Sequence, residues 1–261
     1  MIGFPPVLRQ KRASIYKCQR SSKQLLTPYL SLIMKPTNGT LLLTILLALI
    51  FSVSSSYAQT KEQKPDFGAY YYHKVTLFEE LPNAEGEIIF LGDSITDGNE
   101  WAELFGNKRI KNRGISGDIT DGVLYRLEEV TESKPEKIFI MIGVNDLARD
   151  RSVDYVVANY AKIVDRIKQA SPHTQVYIQS ILPVNDNFPQ FSSHTDESAD
   201  IKKVNKRLAR LADKKDARYI NLFDVMSTKD DKLNPDYTED GLHLNGPGYL
   251  AWKAEVEKYI N

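Results

Sequence analysis

Short apolar runs rich in Ile, Val, Phe or Tyr alternate with longer amphipathic stretches from residue 88 onward, and this alternation constrains the fold more than any other feature of the chain. The runs are Ile88–Leu91, Arg109–Asn112, Lys137–Ile142, Gln175–Leu182 and Arg218–Phe223, and they have the length and composition of buried strands. Between them, Gly122–Thr131, Asp154–Gln169 and Ala199–Lys214 carry helical patterns. Around the second, Val153, Val156, Val157, Tyr160, Ile163, Val164 and Ile167 recur at three- and four-residue spacing, the stripe of a helix laid on a sheet. A last helix is predicted from about Pro247 to Tyr259, with proline in its first turn.

Strand, helix, strand repeated in this way implies right-handed crossovers and a parallel sheet covered on both faces. The expected fold class is α/β, a three-layer α/β/α sandwich around a flavodoxin-like five-stranded parallel sheet. Two loops, Pro183–Ser198 and Val225–Asp240, are long for such a domain. Both follow strand ends, on the edge where open α/β sheets bind ligands.

The amino-terminal part has a different character. Leu41–Val53 (LLLTILLALIFSV) is an apolar run of 13 residues, short of the roughly 20 that a bilayer-spanning helix needs. Met34-Lys35 precedes it, and Ser56-Tyr57-Ala58 puts small residues at the cleavage-reading positions. Residues 1–58 therefore read as a signal-peptide region, with Met34 a candidate start, residues 59–66 as a polar tether, and 67–261 as the folded domain. The expected destination is secreted or periplasmic, without stable membrane insertion after cleavage; a membrane anchor is the alternative reading.

Seven of the 34 basic residues and none of the 34 acidic ones fall within residues 1–58, which leaves 27 basic against 34 acidic and a net charge of −7 on the rest. Such a surface repels polyanions, so nucleic acid is not an expected partner. The single cysteine, Cys18, lies in the amino-terminal part. The remainder has no thiol nucleophile, disulfide or thiolate metal site.

Four short motifs carry the chemistry. Gly92-Asp93-Ser94 follows the first strand directly, so the Ser94 hydroxyl is expected at the carboxyl edge of the sheet. Alone, it reads equally as a helix cap or part of a phosphate cradle. His243 sits in Asp240-Gly241-Leu242-His243, where a carboxylate three residues earlier can hold the imidazole tautomer. His73, His173 and His194 read as surface or loop histidines, with substrate contact left open for His194. Asn112-Arg113-Gly114-Ile115-Ser116-Gly117 ends the second strand, and Gly143-Val144-Asn145-Asp146 the third. A glycine N–H and an asparagine amide there are oxyanion donors of the right kind, or simply βα-turn residues. Asp93 and Asp146 read as turn-shaping acceptors.

Taken together, GDS, NRGIS, GVND and DGLH resemble the SGNH (GDSL) hydrolase family over roughly Ile88 to Leu250, with GDSIT in place of GDSL. The resemblance implies an SGNH hydrolase fold and a catalytic domain in which Ser94 is the nucleophile, His243 the general base and then acid, and Asp240 its orienting carboxylate. The N–H groups of Ser94 and Gly114 and the Asn145 side chain are implied as the oxyanion hole. No cofactor or metal is implied.

The run from FLGDSITDGNEW to DGLHLNGPGY is most similar to the acetylesterase branch, which includes sialate O-acetylesterases and platelet-activating-factor acetylhydrolase-like proteins. The expected substrate is accordingly a small-molecule or glycan acetyl ester, such as an O-acetyl group on sialic acid. Arg149 and Tyr237 are candidate substrate contacts. A lysophospholipase or thioesterase of the same fold, and a non-catalytic glycan-binding module, are the alternatives.

Overall fold

The computed structural model of the protein describes residues 64–260. The signal-peptide reading of residues 1–58, and all but the end of the polar tether, lie outside the described residues.

The described residues open with helix α1 (Ala69–Glu80) and strand β1 (Ile88–Gly92), followed by two single-turn helices, α2 (Ser94–Asp97) and α3 (Trp101–Leu104). Strand β2 (Ile110–Gly114) leads into α4 (Thr120–Tyr125) and α5 (Leu127–Glu132). Strand β3 (Lys137–Met141) is followed by α6 (Val144–Leu147) and the long helix α7 (Val153–Ala170). Strand β4 (Gln175–Gln179) runs through a loop holding α8 (Ser192–Thr195) to α9 (Ser198–Lys214). Strand β5 (Arg218–Ile220), α10 (Leu222–Met226) and α11 (Gly246–Val256) complete the order. The five strands are all parallel, in the order β2-β1-β3-β4-β5. This is the three-layer α/β/α architecture that the alternating pattern demands.

The register explains the core. Phe90, Phe139 and Tyr177 lie opposite one another on β1, β3 and β4, and their rings stack across the strands at 4.9 and 4.4 Å. Trp101 of α3 stacks on Phe90 at 4.1 Å, and Trp252 of α11 meets Trp101 edge-on at 4.8 Å. Both tryptophans are buried, so their aromatic faces are spent on packing. Helices α4, α5 and α9 flank α7 in a separate layer. Val156, Tyr160, Ile163, Val164 and Ile167 of the predicted α7 stripe are buried. The Tyr160 hydroxyl donates to the Ile142 carbonyl and accepts from the Ile142 N–H, both at 2.9 Å, closing the end of β3.

Several elements differ from the sequence reading. The stretch from Gly122 to Thr131 forms two short helices broken at Arg126, whose guanidinium turns inward to the strand ends. Strand β5 stops at Ile220 because Asn221 caps α10 with its side chain. Helix α1 was not foreseen in the Tyr-rich leading segment. Its inward residues Tyr71, Val75 and Phe78 do follow helical spacing and pack with Ile115, but Tyr70 and Leu77, exposed on the other side, blur that stripe.

Trp101 also donates its Nε1–H to the Thr96 carbonyl at 2.8 Å. Trp101→Ala is therefore expected to cost about 3–5 kcal/mol, from the cavity it leaves in the aromatic stack. Urea unfolding of the two proteins measures the difference.

Candidate active site

In the parallel register, Gly92 lies opposite both Gly114 and Met141, so the loops after β1, β2 and β3 leave the sheet side by side. Ser94 opens α2 immediately after β1. Asp93 caps that helix, its Oδ1 accepting the Ile95 N–H at 3.0 Å. The Ser94 N–H belongs to the first helical turn, whose donors have no intrahelical partner.

His243 reaches this edge from the far end of the chain. Its Nε2 is 3.0 Å from Ser94 Oγ, and its Nδ1 is 2.8 Å from Asp240 Oδ2. The other Asp240 oxygen accepts the N–H groups of Leu242 and His243 at 2.9 and 2.8 Å, so the carboxylate folds the turn that presents the ring. Burial works against the Asp240 anion, but bonds from the His243 ring and from both N–H groups hold it below its ordinary value. The turn is anchored in its turn by Asn185, whose N–H donates to the Gly241 carbonyl at 2.9 Å.

The side chain of Asn145, in α6, reaches the loop after β2. Its Nδ2 donates to the Asp118 carbonyl at 2.9 Å, which leaves its second amide hydrogen unspent, since a carboxamide carries two donors.

Gly114 does not offer its N–H: the Asn112 side-chain oxygen takes it at 2.8 Å. What requires glycine at 114 is close approach, because a Cβ there would fall 2.1 Å from the Asp97 backbone nitrogen. Three residues on, Gly117 is exposed and turns at φ +78°, and its N–H has no acceptor among the described residues. Asn145 is bonded to the very next residue, Asp118, so the amide lies beside Gly117. The sequence held a trace of this in Gly117-Asp118, a second glycine at the end of the same motif.

His194, read from the sequence as a surface or loop histidine with substrate contact left open, has a more specific place in the structure. The loop after β4 brings its Nε2 to 3.0 Å from Asn145 Oδ1, while Ser193 Oγ lies 3.2 Å from its Nδ1. Burial first, then His243 and Arg149, push its pKa below the ordinary value. Phe191 meets the rings of both His243 and His194 edge-on, at 5.1 and 5.9 Å. Only the length of this loop hinted at such a role. His73 and His173 stay exposed.

Arg149 is exposed, and its Nη2 donates to the Gly117 carbonyl at 2.9 Å, which pins it to the same loop. Tyr237 is half-buried against the core and accepts the Asn245 N–H with its backbone oxygen at 2.9 Å. Arg113 is buried, paired with Glu129 at 2.5 Å, and has its guanidinium over the Phe78 ring.

Beneath the site, Asp93, Asp118 and Asp146 are buried together. Arg126 donates to Asp118 from Nε and Nη2, and its Nη2 also reaches the carbonyls of Arg113 and Gly92. Asp146 accepts the N–H and hydroxyl of Thr120 at 2.9 and 2.6 Å, which fixes α6 against α4. Burial pushes all three carboxyls up, Asp93 to about 7 and Asp146 to about 6. Among the described residues no group of His, Cys, Asp and Glu is arranged to hold a metal ion, and no helix is long and apolar enough to cross a membrane.

A parallel α/β sheet with a serine, a histidine and a carboxylate hydrogen-bonded in series at its carboxyl edge defines the class as serine-type hydrolases of the SGNH fold. The model of the GDSL-like Lipase/Acylhydrolase family matches residues 90–251. The chain belongs to that family and is an ester hydrolase. Platelet-activating factor acetylhydrolase IB subunit alpha2 of Rattus norvegicus is 27% identical over 179 residues, covering 65% of this chain and 74% of that protein. The crystal structure of a GDSL-like lipase from Bacteroides thetaiotaomicron aligns at a TM-score of 0.65 with 28% identity, over 73% of this chain and 96% of the other. An acetylxylan esterase from Geobacillus stearothermophilus, solved as a catalytic mutant, shares the fold at a TM-score of 0.56 and 18% identity, over 69% and 96% of the two chains.

The Asp93 carboxyl has a stability consequence. Burial raises its pKa from the ordinary 3.8 to about 7 in the fold. The folded state thus binds more protons than the unfolded state between those values, and the group's contribution to stability falls as pH rises through that window. Asp93→Asn removes this slope while keeping an acceptor for the Ile95 N–H. The Tm of the variant minus that of wild type is expected to increase from pH 5 to pH 8, and a difference flat with pH would contradict the assignment.

Proposed function

We propose that the protein hydrolyses short-chain, chiefly acetyl, esters carried on carbohydrate, with O-acetylated sialic acid as the leading candidate. The observation that carries the chemistry is the 3.0 Å approach of His243 Nε2 to Ser94 Oγ, with Asp240 on the opposite ring nitrogen. His243 takes the Ser94 proton as Oγ attacks the ester carbonyl, and Asp240 holds the tautomer and balances the imidazolium. The oxyanion is received by the N–H groups of Ser94 and Gly117 and by the Asn145 amide, the first two carrying no competing backbone acceptor. The alcohol departs with the proton from His243. Water, activated by the same ring, then releases the acid from Ser94.

Two features favour a small acyl group and a polar alcohol. Phe191 crowds the His243 ring from the loop after β4, and Arg149 presents an exposed cation on the loop that bears Gly117. A guanidinium there suits a sugar carboxylate. The similarity to a platelet-activating factor acetylhydrolase subunit also fits acetyl transfer to water.

Residues 59–261 are expected to hydrolyse p-nitrophenyl acetate faster than the butyrate and octanoate esters, with Ser94→Ala and His243→Ala each lowering kcat by at least about 10³-fold. Acetate release from O-acetylated sialic acid should exceed that from a neutral acetylated sugar. Preference for octanoate would instead identify a lysophospholipase or thioesterase. Undiminished turnover by Ser94→Ala would remove the serine mechanism altogether.

The apolar run Leu41–Val53 and the small residues before Gln59 support export by a cleaved signal. Expression of the whole chain, followed by amino-terminal sequencing of the extracytoplasmic product, is expected to begin near Gln59. Retention of residues 41–58 on membrane-bound protein would mean an anchor.

A further inference from the structure

The Asn145 carboxamide can act as an oxyanion donor only if its nitrogen, and not its oxygen, faces the reacting carbonyl. An amide rotated by a half-turn would set Oδ1 against the developing negative charge and repel it. The turn of α6 places the side chain but does not choose between the two orientations. The choice must come from what the two ends of the amide touch.

One end is defined by the backbone: Nδ2 donates to the Asp118 carbonyl at 2.9 Å. The other end is defined by a side chain from a different part of the fold: His194 Nε2 lies 3.0 Å from Oδ1. An amide oxygen only accepts, so the imidazole must carry its proton on Nε2. Its Nδ1 is then the acceptor for the Ser193 hydroxyl at 3.2 Å. The ring is held in place by its own short helix, with the His194 N–H donating to the Phe191 carbonyl at 2.8 Å and the Glu197 N–H to the His194 carbonyl at 3.2 Å.

We propose that His194 is a positioning residue, whose Nε2–H locks the Asn145 carboxamide with its free N–H toward the oxyanion. The role rests on the reading of Asn145 as an oxyanion donor, and it assigns the loop after β4 a share in the transition state without contact to the reacting atoms. Ser193 acts one step further out by fixing the tautomer. His194 is therefore distinct from His243, which handles the proton, and from Arg149, which meets the alcohol side of the substrate.

The test is a double-mutant cycle on p-nitrophenyl acetate hydrolysis by wild type, His194→Ala, Asn145→Ala and the double variant, with thermal unfolding of each. Asn145→Ala is expected to lower kcat by about 10²–10³-fold, as for loss of one oxyanion donor. His194→Ala is expected to lower kcat by about 10-fold or more with KM little changed, the pattern of an interaction realised in the transition state. In the Asn145→Ala background, His194→Ala should have almost no further effect, because the amide that it orients is gone. His194→Gln, whose amide N–H can still donate to Asn145 Oδ1, should recover most of the loss.

Additive effects in the cycle would overturn the proposal, since a merely structural or substrate-binding histidine acts whether or not residue 145 is asparagine. A change in KM alone, or full activity of His194→Ala beside a crippled Asn145→Ala, would also overturn it while leaving the oxyanion reading intact. Full activity of Asn145→Ala would remove that reading and this proposal together. Should His194→Ala fail to fold, comparison of His194→Gln with His194→Leu in both backgrounds decides the same question.

Discussion

The carboxyl edge of the sheet is held together by one buried guanidinium. Arg126 donates to the carbonyls that end β1 and β2, at Gly92 and Arg113, and to the Asp118 side chain. Asp118 in turn offers its backbone carbonyl to Asn145. The loops carrying Ser94, Gly117 and Asn145 are thereby referred to a single rigid group. Arg126 and Asp118 are both buried, and their mutual attraction must offset the large cost of removing two charges from water. The desolvation is not fully recovered, since burial still leaves the Asp118 carboxyl above its ordinary value. Positional definition of three loops is what the pair provides in return.

From this anchor the remaining parts follow in layers. The aromatic row through Phe90, Phe139 and Tyr177 fixes β1, β3 and β4 in register, and the two tryptophans couple that row to α3 and α11. Since α11 directly follows the turn bearing His243, the packing that seats Trp252 also seats the imidazole. The Tyr249 hydroxyl adds a second tie, donating to the Ile95 carbonyl one residue past Ser94 at 2.9 Å. Core and site therefore share their fixed points.

The fold was legible because strand and helix periods are written into residues that face one way: the α7 stripe and the five apolar runs needed no knowledge of their partners. Ser94 and Asn145 were likewise readable as chemistry waiting at strand ends, and Asp240 and His243 as a carboxylate and base before the last helix; the structure hydrogen-bonds Ser94, His243 and Asp240 in series, and Asn145 reaches the loop after β2. Other features depended on distance in space. Nothing local distinguishes His194 from an ordinary loop histidine, because its meaning lies in Asn145, 49 positions away. Gly114 and Gly117 were separable only once Asn112 was seen to take the N–H of the first and Asp97 to crowd it. Helix α1 was obscured by aromatic residues on its outer face.

Ser94 and His243 are separated by 149 residues, about three quarters of the described length. Ser94 opens the helix after β1 and His243 lies in the turn before α11, so no fragment that stops short of that turn contains both. On the proposed mechanism, a chain delivered from its amino end stays chemically silent until the segment bearing His243 has docked. Appearance of turnover would then report docking of that segment rather than formation of the sheet.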